Sequence, residues 1–137
     1  VENSNFFLRT TAGEYILTLF EKRVDPGELP WFLGLMEHLS RHGINCPLPV
    51  RARDGQALRR LCGRPAAVTT FLPGAWPRHV DVAHCAALGS ALAGLHLAGR
   101  DYPALRPNAL GPQSWPSLLD RSRGRADEVH PGLADEL

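Results

Sequence analysis

A chain of 137 residues with fifteen Lys and Arg against fourteen Asp and Glu has a formal charge of +1, which supplies no global field to recruit nucleic acid or an anionic membrane. At that length it is one domain or a large part of one, able to bury roughly two-thirds of its unfolded surface. Three cysteines, an odd number with no C-x-x-C, argue against a secreted disulfide framework. They are expected to be small buried hydrophobes in a reducing cytoplasm.

Asn5 to Thr10 and Glu14 to Glu21 are aromatic and β-branched runs separated by Thr11-Ala12-Gly13, which predicts a hairpin closed by a glycine at positive φ. Along the second run Tyr15, Leu17 and Leu19 share one side and Ile16, Thr18 and Phe20 the other. Both sides are mostly apolar, so cover is expected on both. Asp25-Pro26-Gly27-Glu28 reads as a helix start, with Asp25 as cap, Pro26 in the first helical position and Glu28 as the capping-box acid. Leu29, Phe32, Leu35, Met36 and Leu39 then recur at spacings of three and four before Gly43, an amphipathic helix of about four turns.

Pro47 and Pro49 hold an extended connector, Val50–Arg53 and Gln56–Leu61 flank Asp54-Gly55 as a second hairpin, and Pro65–Phe71 follows as a fifth strand. Pro73-Gly74-Ala75-Trp76-Pro77 breaks the pattern as a linker. Asp81 is the expected cap of a helix from Val82 to Ala98 with Gly99 past its end, its apolar stripe Cys85, Leu88, Leu92 and Leu95. The apolar stretch Cys85 to Gly99, interrupted by Ser90 and His96, falls short of the about 20 residues that cross a bilayer, so no membrane span is expected. Arg100 to Trp115 reads as a long loop, and Ser117 to Leu137 as helical with a break at Pro131-Gly132. Val1 is neither an initiator Met nor the start of a leader, and the chain is expected to be a segment of a longer protein.

The order of these segments, together with Glu2-Asn3-Ser4-Asn5-Phe6, Leu17-Thr18-Leu19-Phe20-Glu21, Phe32 to Leu39 and Arg106-Pro107-Asn108-Ala109-Leu110-Gly111-Pro112, resembles bacterial homoserine kinases of the aminoglycoside-phosphotransferase type. The resemblance implies an α+β fold: a protein-kinase-like small lobe, an antiparallel sheet plus one helix, followed by the first helices of the large lobe. It divides the chain into a nucleotide-binding small lobe at 1–72 without its first strand, an interlobe linker at 73–80 and the start of the helical lobe at 81–137. It also implies ATP and Mg²⁺ as cofactors and L-homoserine as the small-molecule substrate. The H-x-D-x-x-x-x-N loop of that class and its later metal-binding Asp have no match up to Leu137, so no catalytic or metal-ligating residue is expected in this chain and the segment alone is expected to be inactive.

By the same resemblance Asn3, Ser4 and Asn5 end the loop that covers the nucleotide phosphates, against which stands their reading as an ordinary polar turn. Thr18 occupies the strand position where most kinase-like enzymes carry Lys, and is expected to point at the phosphates without an ion pair. Adenine offers an N6 donor and an N1 acceptor on one edge, and Pro73 has no N–H. Thr70 is therefore the expected carbonyl and Leu72 the expected N–H, with Phe71 between them. Lys22 and Arg23 read as solvated, and Glu37 as either a partner for a strand cation or a surface residue. His38 and His42 stand four apart without a third ligand, and His84 and His96 read as structural. The arginines at 59, 60 and 64 and at 121, 123 and 125 lack interleaved aromatics and read as surface. A related small-molecule kinase and a non-catalytic nucleotide-binding module are the alternatives.

Overall fold

The computed structural model describes residues 3–21, 24–75 and 77–136. Expectations placed on Glu2, Lys22, Arg23 and Trp76 lie outside them. The chain divides into two compact units, one up to Ala104 and one from Leu105. This boundary falls well beyond the expected linker at 73–80.

In the first unit β1 (Asn3–Thr10) and β2 (Gly13–Phe20) form the expected hairpin, in register from Asn3 opposite Phe20 to Thr10 opposite Gly13. Gly13 takes φ +141°, and the Thr10 hydroxyl ties the turn by donating to the Gly13 carbonyl at 3.0 Å and accepting from Ala12 N–H at 3.2 Å. With β3 (Leu58–Leu61) and β4 (Arg64–Thr70) the sheet order is β1-β2-β4-β3, antiparallel throughout. Tyr15 to Phe20 are half-buried on both faces.

The expected strand at Val50–Arg53 is reduced to an isolated bridge between Pro49 and Thr69. Beyond the reach of β3, this connector occupies the free edge of β4: Val50 N–H donates to the Val68 carbonyl at 2.8 Å and Thr70 N–H to the Leu48 carbonyl at 2.9 Å. Pro49 sits between those two bonds, where the ladder needs no donor. Asp54-Gly55 does turn, with Gly55 at φ +80° and Gln56 N–H on Asp54 Oδ1. Its arms share a bond from Ala52 N–H to the Gln56 carbonyl and no ladder. The true hairpin closes at Cys62-Gly63, with φ of +51° and +76°, the backbone that matches strand twist in a two-residue turn. Cysteine at a left-handed position gave no sequence signal for it.

α1 (Leu29–Arg41) starts without a side-chain cap bond at Glu28. Asp25 instead closes the preceding turn, accepting from Gly27 N–H at 2.8 Å on its carboxylate and from Glu28 N–H at 3.0 Å on its carbonyl. The expected cap is thus displaced by an Asx turn. Gly43 ends the helix as expected, at φ +81°, and the bonds from Gly43 N–H to Ser40 and from Ile44 N–H to Leu39 make a Schellman stop. The buried side comprises Leu29, Leu33, His38 and Leu39. Phe32, expected in the core, is 37% exposed.

α2 (Val82–Gly99) carries its expected cap: Asp81 Oδ1 accepts from the His84 backbone N–H at 2.9 Å and from the His84 ring at Nδ1, 2.7 Å away. Gly99 is its last helical residue. None of its side chains is buried. It meets α1 along a small-residue strip, where a Cβ on Gly94 would lie 3.8 Å from Ile44 and one on Gly99 3.9 Å from Leu39. Beside that strip His38 Nε2 donates to the Ala98 carbonyl at 2.9 Å and Tyr102 Oη to the Trp31 carbonyl at 3.0 Å. At 18 residues and mean hydropathy 1.4, α2 is long and apolar enough to cross a membrane by length and composition alone. The core helix of a soluble protein meets the same two conditions.

The cysteines depart from the buried reading, since Cys62 and Cys85 are exposed and Cys46 is half-buried. Burial pushes the Cys46 thiol up, and its Sγ lies 3.3 Å from the Met36 carbonyl.

The second unit holds a single turn of 3₁₀ helix at Pro112–Ser114, α3 (Trp115–Arg123), another 3₁₀ turn at Ala126–Glu128, and α4 (Leu133–Glu136). Trp115 Nε1 donates to the Leu110 carbonyl at 3.0 Å, and Ala126 is buried. The expected break falls at Gly132, with φ +86°.

Candidate functional site

Partners across an antiparallel ladder share a face and side chains alternate along each strand. The register therefore places Phe7 opposite Ile16 and Asn5 opposite Thr18 on one face, which also carries Ala67 and Thr69 of β4. Ser4, Leu17, Leu19, Ala66 and Val68 line the other. The first face is graded along β2. Next to the end of β4 it is apolar and aromatic, the Phe7 and Phe71 rings meeting edge-on at 5.0 Å. Two residues further along, about 7 Å at strand rise, it becomes polar, where Thr18 Oγ1 donates to Asn5 Oδ1 at 2.8 Å.

Asn3, Ser4 and Asn5 are strand residues of β1 rather than the end of a loop. Their alternating direction separates them: Asn3 and Asn5 share the face of Thr18, whereas Ser4 is turned away and donates to Glu21 Oε1 at 3.0 Å. Glu21 Oε1 also accepts from Arg64 Nη1 at 2.7 Å. Ser4 thus belongs to an ion-pair network on the opposite face.

Thr70 to Leu72 leave the sheet at the apolar end of the graded face. Thr70 N–H is used by Leu48, and Leu48 N–H returns to the Thr70 hydroxyl at 2.9 Å instead of to the Thr70 carbonyl. That diversion leaves the carbonyl available to an outside donor. Phe71 N–H extends the β2 ladder to the Glu14 carbonyl at 3.1 Å. Among the described residues nothing takes the Leu72 N–H. A carbonyl and an N–H two residues apart are therefore presented beside an aromatic platform, the pairing that one edge of a purine requires. A hollow among the described residues lies elsewhere, between α1 and β3, lined by Pro30, Leu33, Glu37, Arg51, Ala57 and Leu58.

Glu37 has a cation that the sequence did not suggest: Arg51 Nη2 donates to both carboxylate oxygens at 2.6 and 2.7 Å, and Arg51 Nη1 to the Gly55 carbonyl at 2.8 Å. Arg59 pairs with Asp54, Arg60 bonds the Gly63 carbonyl, and Arg125 forks onto Glu128. The Arg59 side chain and the Gln56 N–H hold the Asp54 carboxyl below its usual range, the N–H being the larger cause. His38 and His42 stack at 4.2 Å between ring centres. Each is spent on a backbone carbonyl, His38 on Ala98 and His42 Nδ1 on His38 at 2.8 Å. Among the described residues no three His, Cys, Asp or Glu side chains are grouped to hold a metal ion.

Curated relatives include proteins named homoserine kinase from Granulibacter bethesdensis, Gluconacetobacter diazotrophicus and Acidiphilium cryptum, 69%, 66% and 64% identical to this chain. Each match covers 100% of this chain and 43% of the relative, so the chain spans less than half the length of the proteins it matches. The model of the phosphotransferase enzyme family (APH) matches residues 1–137. Matched from end to end, and with the antiparallel sheet and helices described above, the chain belongs to the phosphotransferase enzyme family.

Proposed function

We propose that the longer protein carrying this chain transfers the γ-phosphate of ATP to the hydroxyl of L-homoserine, giving O-phospho-L-homoserine in threonine biosynthesis in the cytoplasm, and that residues 1–137 supply its nucleotide-binding part. One observation carries the nucleotide reading: the Thr70 carbonyl and Leu72 N–H have no partner among the described residues, at the apolar end of a face that turns polar about two strand residues further on. A purine set against Thr70, Phe71 and Leu72 and covered by Phe7 and Ile16 would extend its ribose and phosphates toward Asn5, Thr18 and Asn3. Ser4 is not assigned a nucleotide contact, because its hydroxyl is spent on Glu21. The identity of 64% to 69% with proteins named homoserine kinase supports the acceptor.

In this reading the small lobe is residues 1–72, the linker 73–80, and 81–137 begin the helical lobe. Mg²⁺ would come with the phosphates, and the resemblance to kinase-like enzymes would put its protein ligands on the catalytic loop and the later Asp, neither of which has a match up to Leu137. What the chain's own residues do is bind and orient: positioning and charge stabilisation dominate phosphoryl transfer.

Homoserine-dependent release of ADP from ATP, measured on the full-length protein, tests the activity. Turnover with choline or an aminoglycoside and none with homoserine would replace the acceptor. The hinge is tested separately by amide NMR, in which adenosine should shift the Leu72 N–H. An unmoved Leu72 with shifts confined to a distant segment would remove the base from this position. Residues 1–137 alone should show no homoserine phosphorylation.

A further inference from the structure

We propose that Asn5 is a neutral phosphate donor, held in its donating orientation by Thr18, and that Thr18 acts only through it. The inference rests on the nucleotide reading above and assigns the polar end of the same face. A threonine hydroxyl has one proton to give, and that of Thr18 is given to Asn5 Oδ1 at 2.8 Å. It is therefore not available to a phosphate. The same bond fixes the carboxamide: with Oδ1 turned to Thr18, Nδ2 and its two protons are turned away from β2. Asn5 is exposed, and Nδ2 has no acceptor among the described residues. A phosphate is all acceptor at its oxygens, so two oriented N–H groups about 7 Å from the purine platform match it in chemistry and in place. The strand position that carries a cation in most kinase-like enzymes is thus replaced by a hydrogen-bonded pair spanning two strands. It recognises the phosphate by hydrogen bonds and adds no charge.

The test compares adenosine with ADP, both without Mg²⁺, binding to the full-length protein by calorimetry. Asn5→Ala should lower ADP affinity about tenfold, the scale of a hydrogen bond to a charged group, and leave adenosine affinity unchanged. Asn5→Asp should lower ADP affinity further, because a carboxylate there repels phosphate. Thr18→Ala should weaken ADP several-fold, Thr18→Ser should restore it, and Thr18→Ala added to Asn5→Ala should do nothing more. In the unmutated protein, labelled at its side-chain amides, ADP but not adenosine should move the Asn5 NH₂ signals, a readout independent of any variant. The proposal is overturned if Asn5→Ala leaves the ratio of ADP to adenosine affinity unmoved. It is also overturned if the two substitutions multiply, for Thr18 would then touch the phosphate itself. Failure of the unmutated protein to bind either ligand would instead remove the nucleotide reading on which it stands.

Discussion

α1 and α2 are both apolar helices of the first unit, yet they settle differently. α1 buries Leu29 to 2% exposure and Leu33 and Leu39 to 6% each, whereas Leu88 and Leu92 of α2 remain 61% and 47% exposed. The cause is partly in the surfaces they share. Against α1, α2 presents Gly94, Ala98 and Gly99, residues with almost no side chain to bury, while its leucines point elsewhere. The contact is close and narrow, held by the His38 and Tyr102 hydrogen bonds rather than by apolar area. An apolar helix is therefore not a core helix until something of matching shape lies on it, and a large uncovered apolar surface favours association.

The contrast breaks most visibly at leucine. Leu29→Ala in residues 1–137 should cost about 2–5 kcal/mol by chemical denaturation, and Leu88→Ala about 0.5 kcal/mol or less. Equal losses would mean that α2 is covered in solution, as by self-association, which sedimentation would show. His38→Leu keeps an apolar side chain but strands the Ala98 carbonyl, and should cost about 1–3 kcal/mol; no loss would show that the α1–α2 contact does not need this bond.

Glycine gives the sharpest sign test. A Cβ on Gly34 would lie 2.6 Å from Tyr102 Oη, itself tied to Trp31, while one on Gly89 meets nothing within 4 Å. Gly34→Ala should destabilise by about 1–3 kcal/mol, and Gly89→Ala should stabilise by about 0.5–1 kcal/mol through helix propensity. Destabilisation by Gly89→Ala in the full-length protein alone would mark that side of α2 as covered there.

The smallest effect concerns pH. The Asp81 carboxyl is held below its usual range first by the His84 backbone N–H and then by the His84 side chain. A carboxyl whose folded pKa is depressed stabilises the fold above its unfolded pKa and loses that contribution as pH falls through the folded value. Helicity lost by α2 on acidification should accordingly appear below the ordinary carboxylate range. Asp81→Asn, which caps without titrating, should flatten that limb of a circular-dichroism titration.

Much of this molecule was legible because its signals are local. The hairpin at Gly13, the stop at Gly43, the Asp81 cap and the break at Gly132 each depend on the φ a residue tolerates or on a side chain reaching its own backbone. Thr70 and Leu72 follow from the resemblance to kinase-like enzymes together with the missing N–H of Pro73, and their contact with a purine is our proposal. Ser4 could not be separated from Asn3 and Asn5 until the strand existed, since a loop gives three successive polar residues one role and a strand divides them between two faces.

By itself the sequence determined the Gly13 turn, the Gly43 stop, the Asp81 cap, the alternation of β2 and the family to which the chain belongs. The tertiary structure decided which face each polar residue serves, that Arg51 is the partner of Glu37, that Leu48 spends its N–H on the Thr70 hydroxyl, and that Asn5 holds the proton of Thr18. These contacts join residues separated by 13 to 22 positions. No local propensity encodes them, because each forms only after strand register and helix placement have brought two distant backbones within hydrogen-bond reach.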